Sequence, residues 1–172
     1  MIQIPTLETE RLMLRAPKVA DFDAFADFYA SDRAKFVGGP LTRESAWRML
    51  AMEVGHWSLA GFGRWIVTTK DSDAPIGLVG LFCPDGWPEP EIGYDLFANS
   101  EGQGYATEAA LAARDHAYDV LAWPTAISLI NPANIGSKGV ATRMGASFEE
   151  MYQHERHGAL ELWRHPAPEG LQ

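Results

Sequence analysis

Between a strand-like run, Glu91-Ile92-Gly93-Tyr94-Asp95-Leu96-Phe97, and a helix-like run beginning at Tyr105, the chain reads Ser100-Glu101-Gly102-Gln103-Gly104-Tyr105-Ala106-Thr107. A strand that feeds a helix through Gly-x-Gly has few structural solutions. Glycine lets the backbone adopt positive φ and approach a ligand closely. The first turn of the helix offers unpaired N–H groups at the positive end of its dipole, so the segment suits an anion such as a diphosphate. A plain strand-to-helix turn would use the same glycines. Two phosphate motifs are absent: there is no GxxxxGK[ST], and Thr107 stands where the third glycine of GxGxxG would be. Glu101 would repel a phosphate if it pointed inward, and it is expected to face solvent.

The rest of the chain supplies the frame. Arg11 to Arg15 reads as a strand, and Phe22, Phe25, Ala26 and Tyr29 form one helical face. Gly38-Gly39-Pro40 breaks the chain. Thr42 then caps a second helix with an apolar stripe of Ala46, Leu50, Val54 and Trp57. From Gly61 the period shortens to two. Residues 65–69, 76–82 and 91–97, separated by turns at Asp71–Pro75 and Asp85–Pro88, predict an antiparallel meander. The helix from about Tyr105 to Leu121 presents Ala106, Ala109, Ala110, Ala113, Ala117 and Val120 on one side, a small-residue face able to lie close to a sheet. Thr125 to Ile130 is β-prone, and Asn134 begins a short helix that ends at Met144-Gly145. Residues 147–154 and 159–164 predict a hairpin through His157-Gly158. The order β-α-α-β-β-β-α-β-α-β-β describes an α+β domain spanning 1–172, with a tail from Pro166 expected to be loose.

Composition excludes several classes. A net charge of −9 disfavours general nucleic-acid binding and favours a cationic acceptor. The longest apolar run, Ile76 to Cys83, is too short to span a membrane, and Met1 to Glu8 lacks the features of a secretory signal. The expected location is the cytoplasm. Cys83 is the sole cysteine, and the five histidines show no metal-ligand spacing, so no metal is expected.

Six segments occur in an order that resembles the GNAT superfamily of N-acetyltransferases, and within it the group of ribosomal-protein N-terminal acetyltransferases (RimJ/RimL-like). They are Thr9–Arg15, Gly61–Val67, Ile76–Leu81, Glu91–Tyr94, Gly102–Ala109, and Asn134–Ser137 with Met144-Gly145. The resemblance implies a mixed, mostly antiparallel sheet of about seven strands with about four helices. Two central parallel strands, Glu91–Ala98 and Thr125–Ile130, would splay into a cleft for acetyl-CoA. It further implies a diphosphate on the amides of Gly102, Gln103, Gly104, Tyr105, Ala106 and Thr107. The pantetheine arm would lie along Leu96, Phe97 and Ala98, with Asn134 contacting the arm. A homodimer is possible, as is common in the family.

Acetyl transfer to an amine, protein N-terminal or small-molecule, needs a base for the nitrogen and an acid for the departing thiolate. Glu91, on the strand bordering the acetyl group, is the candidate base, although a solvated edge carboxylate has the same sequence signature. Ser137, one turn after Asn134, is the candidate acid, although a hydroxyl serving the helix start reads the same way. Tyr94 is a third candidate, and Trp87 a candidate wall of the acceptor pocket. A backbone amide near Leu96 or Phe97 is placed to stabilise an oxyanion. The alternative of another class is an acetyl-CoA-binding module without catalysis.

Overall fold

The computed structural model describes residues 3–171; Met1, Ile2 and Gln172, which carry the ends of the leader and tail readings, lie outside the described residues. Eight strands form one sheet in the order β1-β2-β3-β4-β5-β6-β8-β7: β1 Leu7–Glu8, β2 Leu12–Arg15, β3 Arg64–Thr69, β4 Gly77–Phe82, β5 Glu91–Leu96, β6 Ile127–Ile130, β7 Ser147–His154 and β8 Gly158–Arg164. Among the described residues four α-helices accompany it: α1 Phe22–Ala30, α2 Arg43–Ala60, α3 Tyr105–Asp119 and α4 Ile135–Arg143. The additional strand is β1, which pairs Leu7 with Leu14 and Glu8 with Met13. Two residues carry no periodicity, so only the pairing itself reveals it.

Alternation along β3 and β4 divides the core between the two faces of the sheet. Ile66 and Leu78 pack with Phe25, Tyr29, Ala46 and Leu50 of α1 and α2, whereas Trp65, Val67, Val79 and Leu81 pack with the alanine face of α3. Ala109, Ala110, Ala113 and Ala117 are fully buried there, letting α3 lie directly on the strands. Two residues assigned to apolar stripes stand in solvent instead: Val54 is 40% and Val120 is 66% exposed. In α2 the buried positions beside Val54 are polar, Glu53 and His56, because each has a partner below the helix. Glu53 meets Arg64, while His56 Nδ1 lies 2.7 Å from the Phe62 carbonyl and Nε2 accepts the Cys83 amide at 3.1 Å.

β3, β4 and β5 form the antiparallel meander. The α2 helix starts on Thr42, whose hydroxyl accepts the Ser45 amide, and stops at Gly61 in the left-handed conformation. Tyr118 donates to the Pro166 carbonyl at 2.8 Å, and Pro168–Leu171 closes a 3₁₀ turn.

The one parallel pairing among the described residues sits inside the sheet. β5 and β6 share a single register pair, Glu91 with Ile127. Beyond it, side chains replace the ladder: the Glu91 carboxylate accepts the Leu129 amide at 3.0 Å, and Ser128 Oγ donates to the Ile92 carbonyl at 2.7 Å. The Phe97 amide donates to Ile76 on the β4 side. By the two-residue period, the backbone groups of Tyr94 and Leu96 therefore face the opening on the β6 side.

Candidate active site

The parting strands open into two cavities that meet between them. One, of about 510 Å³, runs from Leu96 along Gly102, Gly104, Tyr105, Ala106 and Thr107 to Asn134, Ser137 and Arg143. The other, of about 570 Å³, is walled by Phe82, Trp87, Glu91, Ser128 to Asn131 and the β7–β8 turn. Tyr94, Asp95, Asn134 and Ser137 line both.

The glycine-rich loop has left-handed glycines and open amides. Gly102 and Gly104 have φ of +73° and +80°, and Gly104 serves as the N-cap of α3 without any side-chain cap. Among the described residues, no acceptor is recorded for the amides of Gly102 to Thr107. These open donors at a helix start fit a diphosphate. The loop is held from β2's side of the molecule. Arg11 Nη1 donates to the Gln103 carbonyl at 2.9 Å, and its guanidinium lies 4.8 Å above the Tyr105 ring. Glu108 fixes Arg11 by accepting its Nε at 2.7 Å and also accepts the Thr9 hydroxyl. Partial burial raises the Glu108 carboxyl, but the Thr9 and Arg11 donors bring it below the usual range.

Not every candidate contact faces the cavity. Leu96, Gly102, Gly104, Tyr105, Ala106, Thr107 and Asn134 line it. The Gln103 carbonyl is turned to Arg11, the Phe97 side chain is buried among Phe25 and Phe28, and Ala98 lies past the end of β5 in solvent. The Phe97 amide is engaged with β4, so of the two amides considered for an oxyanion, Leu96 is the one facing the opening. Glu101 is not simply turned to water: it forms an ion pair with Arg33 across the cleft.

Glu91 is buried, which sets aside the solvated-edge reading. It is 8% exposed, with Oε1 accepting the Leu129 amide and Oε2 the Trp87 indole N–H. Burial pushes the carboxyl up to about 7, against the pull of the two donors and of the Arg64 charge. The carboxyl can therefore change protonation near neutral pH. Trp87 is itself packed by His154 and His157 from the β7–β8 turn, with ring centroids 4.8 and 5.8 Å away.

Asn134 caps α4 by accepting the Ser137 amide at 3.1 Å, and Tyr94 donates its hydroxyl to the Ser137 carbonyl at 3.0 Å. Burial raises the Tyr94 phenol, so it stays a neutral donor. The Ser137 hydroxyl makes no hydrogen bond among the described residues, and Ser137 lines both cavities.

Beside the second cavity lies a charge network that the sequence pattern did not indicate. Arg64 ion-pairs with the fully buried Glu53 and with Asp95, Nη1 donating to Asp95 Oδ2 at 2.9 Å. Burial holds the Asp95 carboxyl above its ordinary range while Arg64 draws it down. Arg33 and Arg143 were likewise missed, as neither belongs to a local motif. Arg143 reaches the loop, its Nε donating to Thr107 Oγ1 at 3.1 Å.

Residues 11–147 match the family model described as an acetyltransferase (GNAT) domain. A Bacillus licheniformis protein named "Uncharacterized N-acetyltransferase p20" is 31% identical over 136 residues, covering 77% of this chain and 76% of that protein. The crystal structure of an acetyltransferase from Agrobacterium tumefaciens superposes with a TM-score of 0.88 at 37% identity, covering 96% of each chain. At 14% identity, RimL, a ribosomal L7/L12 alpha-N-protein acetyltransferase solved in complex with coenzyme A, shares the fold with a TM-score of 0.74 over 94% of this chain and 96% of that one. This chain belongs to the GNAT family of acetyltransferases, enzymes that draw their acetyl group from acetyl-CoA.

Proposed function

We propose that the chain transfers the acetyl group of acetyl-CoA directly to a primary amine, protein N-terminal or small-molecule, with both substrates bound together. The observation that carries this reading is the meeting of the two cavities at Tyr94, Asp95, Asn134 and Ser137, with Glu91 on the acceptor side only. One cavity ends on open amides suited to a diphosphate. The other ends on a buried carboxylate suited to an amine.

The bound cosubstrate supplies an activated thioester. The residues supply the rest. An acceptor amine with a pKa of about 10 arrives mostly protonated and must lose a proton before attack. Glu91 takes that proton, directly or through water, in its ionised form. The outward-facing Leu96 amide is placed for charge developing on the carbonyl oxygen. As the carbon–sulfur bond breaks, the Ser137 hydroxyl hands a proton to the thiolate and regains one, through water, from the acetylated nitrogen, which sheds its second proton as the amide forms. Asp85, Glu91, Asp95 and Glu155 outnumber Arg64 and Arg156 around the acceptor cavity, and Arg64 is already engaged by Glu53 and Asp95. That balance favours a cationic acceptor.

The test is release of free thiol from acetyl-CoA with N-terminal peptides, polyamines and aminoglycosides. Turnover confined to one amine class names the acceptor. Tight acetyl-CoA binding with no turnover across the panel would instead make the chain a binding module.

A further inference from the structure

Arg33 sits in the 3₁₀ turn Asp32–Phe36, between α1 and α2, and lines the cofactor-side cavity. Nη2 donates to the Leu96 carbonyl at 3.0 Å, while Nη1 forms the ion pair with Glu101. Both ends of this bridge lie where the cosubstrate is to bind. The Leu96 carbonyl belongs to the strand edge left open by β6. Glu101 immediately precedes the glycines whose amides are unpartnered.

We propose that Arg33 exchanges partners when acetyl-CoA binds, leaving Glu101 and the Leu96 carbonyl for the cosubstrate's diphosphate, and that Glu101 competes with the diphosphate for it. This rests on the acetyl-CoA reading of the cavity. The Arg33 and Glu101 side chains are 35% and 47% exposed, and an ion pair that open to water holds weakly. A guanidinium fits a diphosphate as a bidentate, charge-assisted partner, a stronger arrangement than the pair it gives up. The same movement frees the Leu96 carbonyl to accept an amide N–H from an extended arm. Arg143, at the opposite side of the loop on Thr107, makes no ion pair among the described residues and supplies a fixed second cation. An acidic residue beside a phosphate loop thus has a specific effect: it keeps the free enzyme's arginine occupied and eases release of product CoA. Arg33 is a positioning residue for the cosubstrate and takes no part in the proton transfers.

Calorimetric titration of CoA into the wild type, Glu101→Gln, Arg33→Gln and the double variant tests this without turnover. Glu101→Gln is expected to tighten CoA about fivefold and Arg33→Gln to weaken it about fivefold to tenfold. In the Arg33→Gln background the gain from Glu101→Gln should shrink below about twofold, because it acts through the arginine. Arg33→Lys should recover part of the loss, a rescue that a purely structural role would not produce. Equal gains from Glu101→Gln with and without Arg33, or an unchanged affinity in Arg33→Gln, would overturn the exchange while leaving CoA binding intact. No heat of binding in any of the four proteins would overturn the acetyl-CoA reading, and the exchange with it.

Discussion

The Trp87 indole N–H donates to Glu91 Oε2, tying the wall of the second cavity to the carboxyl that burial has raised to about 7. A donor to the ionised form lowers a carboxyl's pKa, so removing it must raise that pKa further. Trp87→Phe keeps the ring packing against His154 and His157 but loses the N–H. The rising limb of kcat/KM against pH should then move up by about one unit, since one unit corresponds to about 1.4 kcal/mol of lost preference for the charged form. A limb left near 7 would show that the indole serves only as a wall.

Replacing the carboxyl itself has a different signature. Glu91→Gln has no group to titrate near 7, so the wild-type limb should vanish. Activity at pH 7 should fall about 10²-fold and climb as the acceptor amine approaches its own pKa of about 10. The sign follows from the proposed role: a base works ionised, so wild-type activity should be low below about 7 and full above it. A profile matching wild type throughout would make Glu91 a plug for the Leu129 amide at the point where the strands part.

Why these residues were only partly legible in the sequence follows from how local their signals are. The loop glycines, the Asn134 cap and the alternation of Trp65, Ile66 and Val67 each depend on neighbours within a turn or a strand, and such patterns survive in one dimension. Glu91 could be named as a candidate, but its sequence neighbours Glu89 and Pro90 argued for an exposed edge. Its burial depends on Trp87 and on β6, some forty positions further along. Glu53 lies beside Val54 in a helix whose apolar stripe pointed to the valine. Arg64 reverses the expectation, because a partnered charge belongs inside and the valine can face water. Arg33 meets Leu96 and Glu101 only through the closed fold, and no short pattern marks such a meeting.

The Arg64 network predicts a stability effect separate from chemistry. Arg64→Leu would leave Glu53, which is 0% exposed, and Asp95, which is 5% exposed, without their cation. Removing one partner of a buried ion pair typically costs about 3–5 kcal/mol, because the remaining charge stays desolvated. Denaturant unfolding at neutral pH should show a loss of that order. A loss below about 1 kcal/mol would mean that water reaches the carboxylates and that the network is energetically a surface one.

Charge at the cradle can be separated from shape. Gly104 has φ +80°, and a Cβ there would meet only Arg11 Nη2, at 3.5 Å. Asp and Asn tolerate the left-handed region about equally well and have nearly the same volume. Gly104→Asn should therefore raise the KM for acetyl-CoA only a few-fold, through about 1 kcal/mol of backbone cost. Gly104→Asp adds a carboxylate against the diphosphate and should raise it about 10²-fold or more. Equal KM values for the two variants would remove the phosphate from this loop.

The acid role can be assigned between two neighbours. The Ser137 backbone amide caps α4 through Asn134, so truncating the side chain leaves the cap in place. Ser137→Ala should thus unfold no more easily than wild type, alanine being the better helix former by up to about 0.7 kcal/mol. If the hydroxyl protonates the departing thiolate, kcat should fall about tenfold with the KM for acetyl-CoA unchanged. That is less than the usual ~10²–10⁴-fold for general acid–base groups because a thiolate leaves readily even unprotonated. Tyr94 is the competing donor, but its hydroxyl is already directed to the Ser137 carbonyl. Tyr94→Phe removes that bond and should act on α4, raising the KM for acetyl-CoA more than it lowers kcat. The reverse pattern, with kcat intact in Ser137→Ala and lost in Tyr94→Phe, would transfer the acid role to the tyrosine.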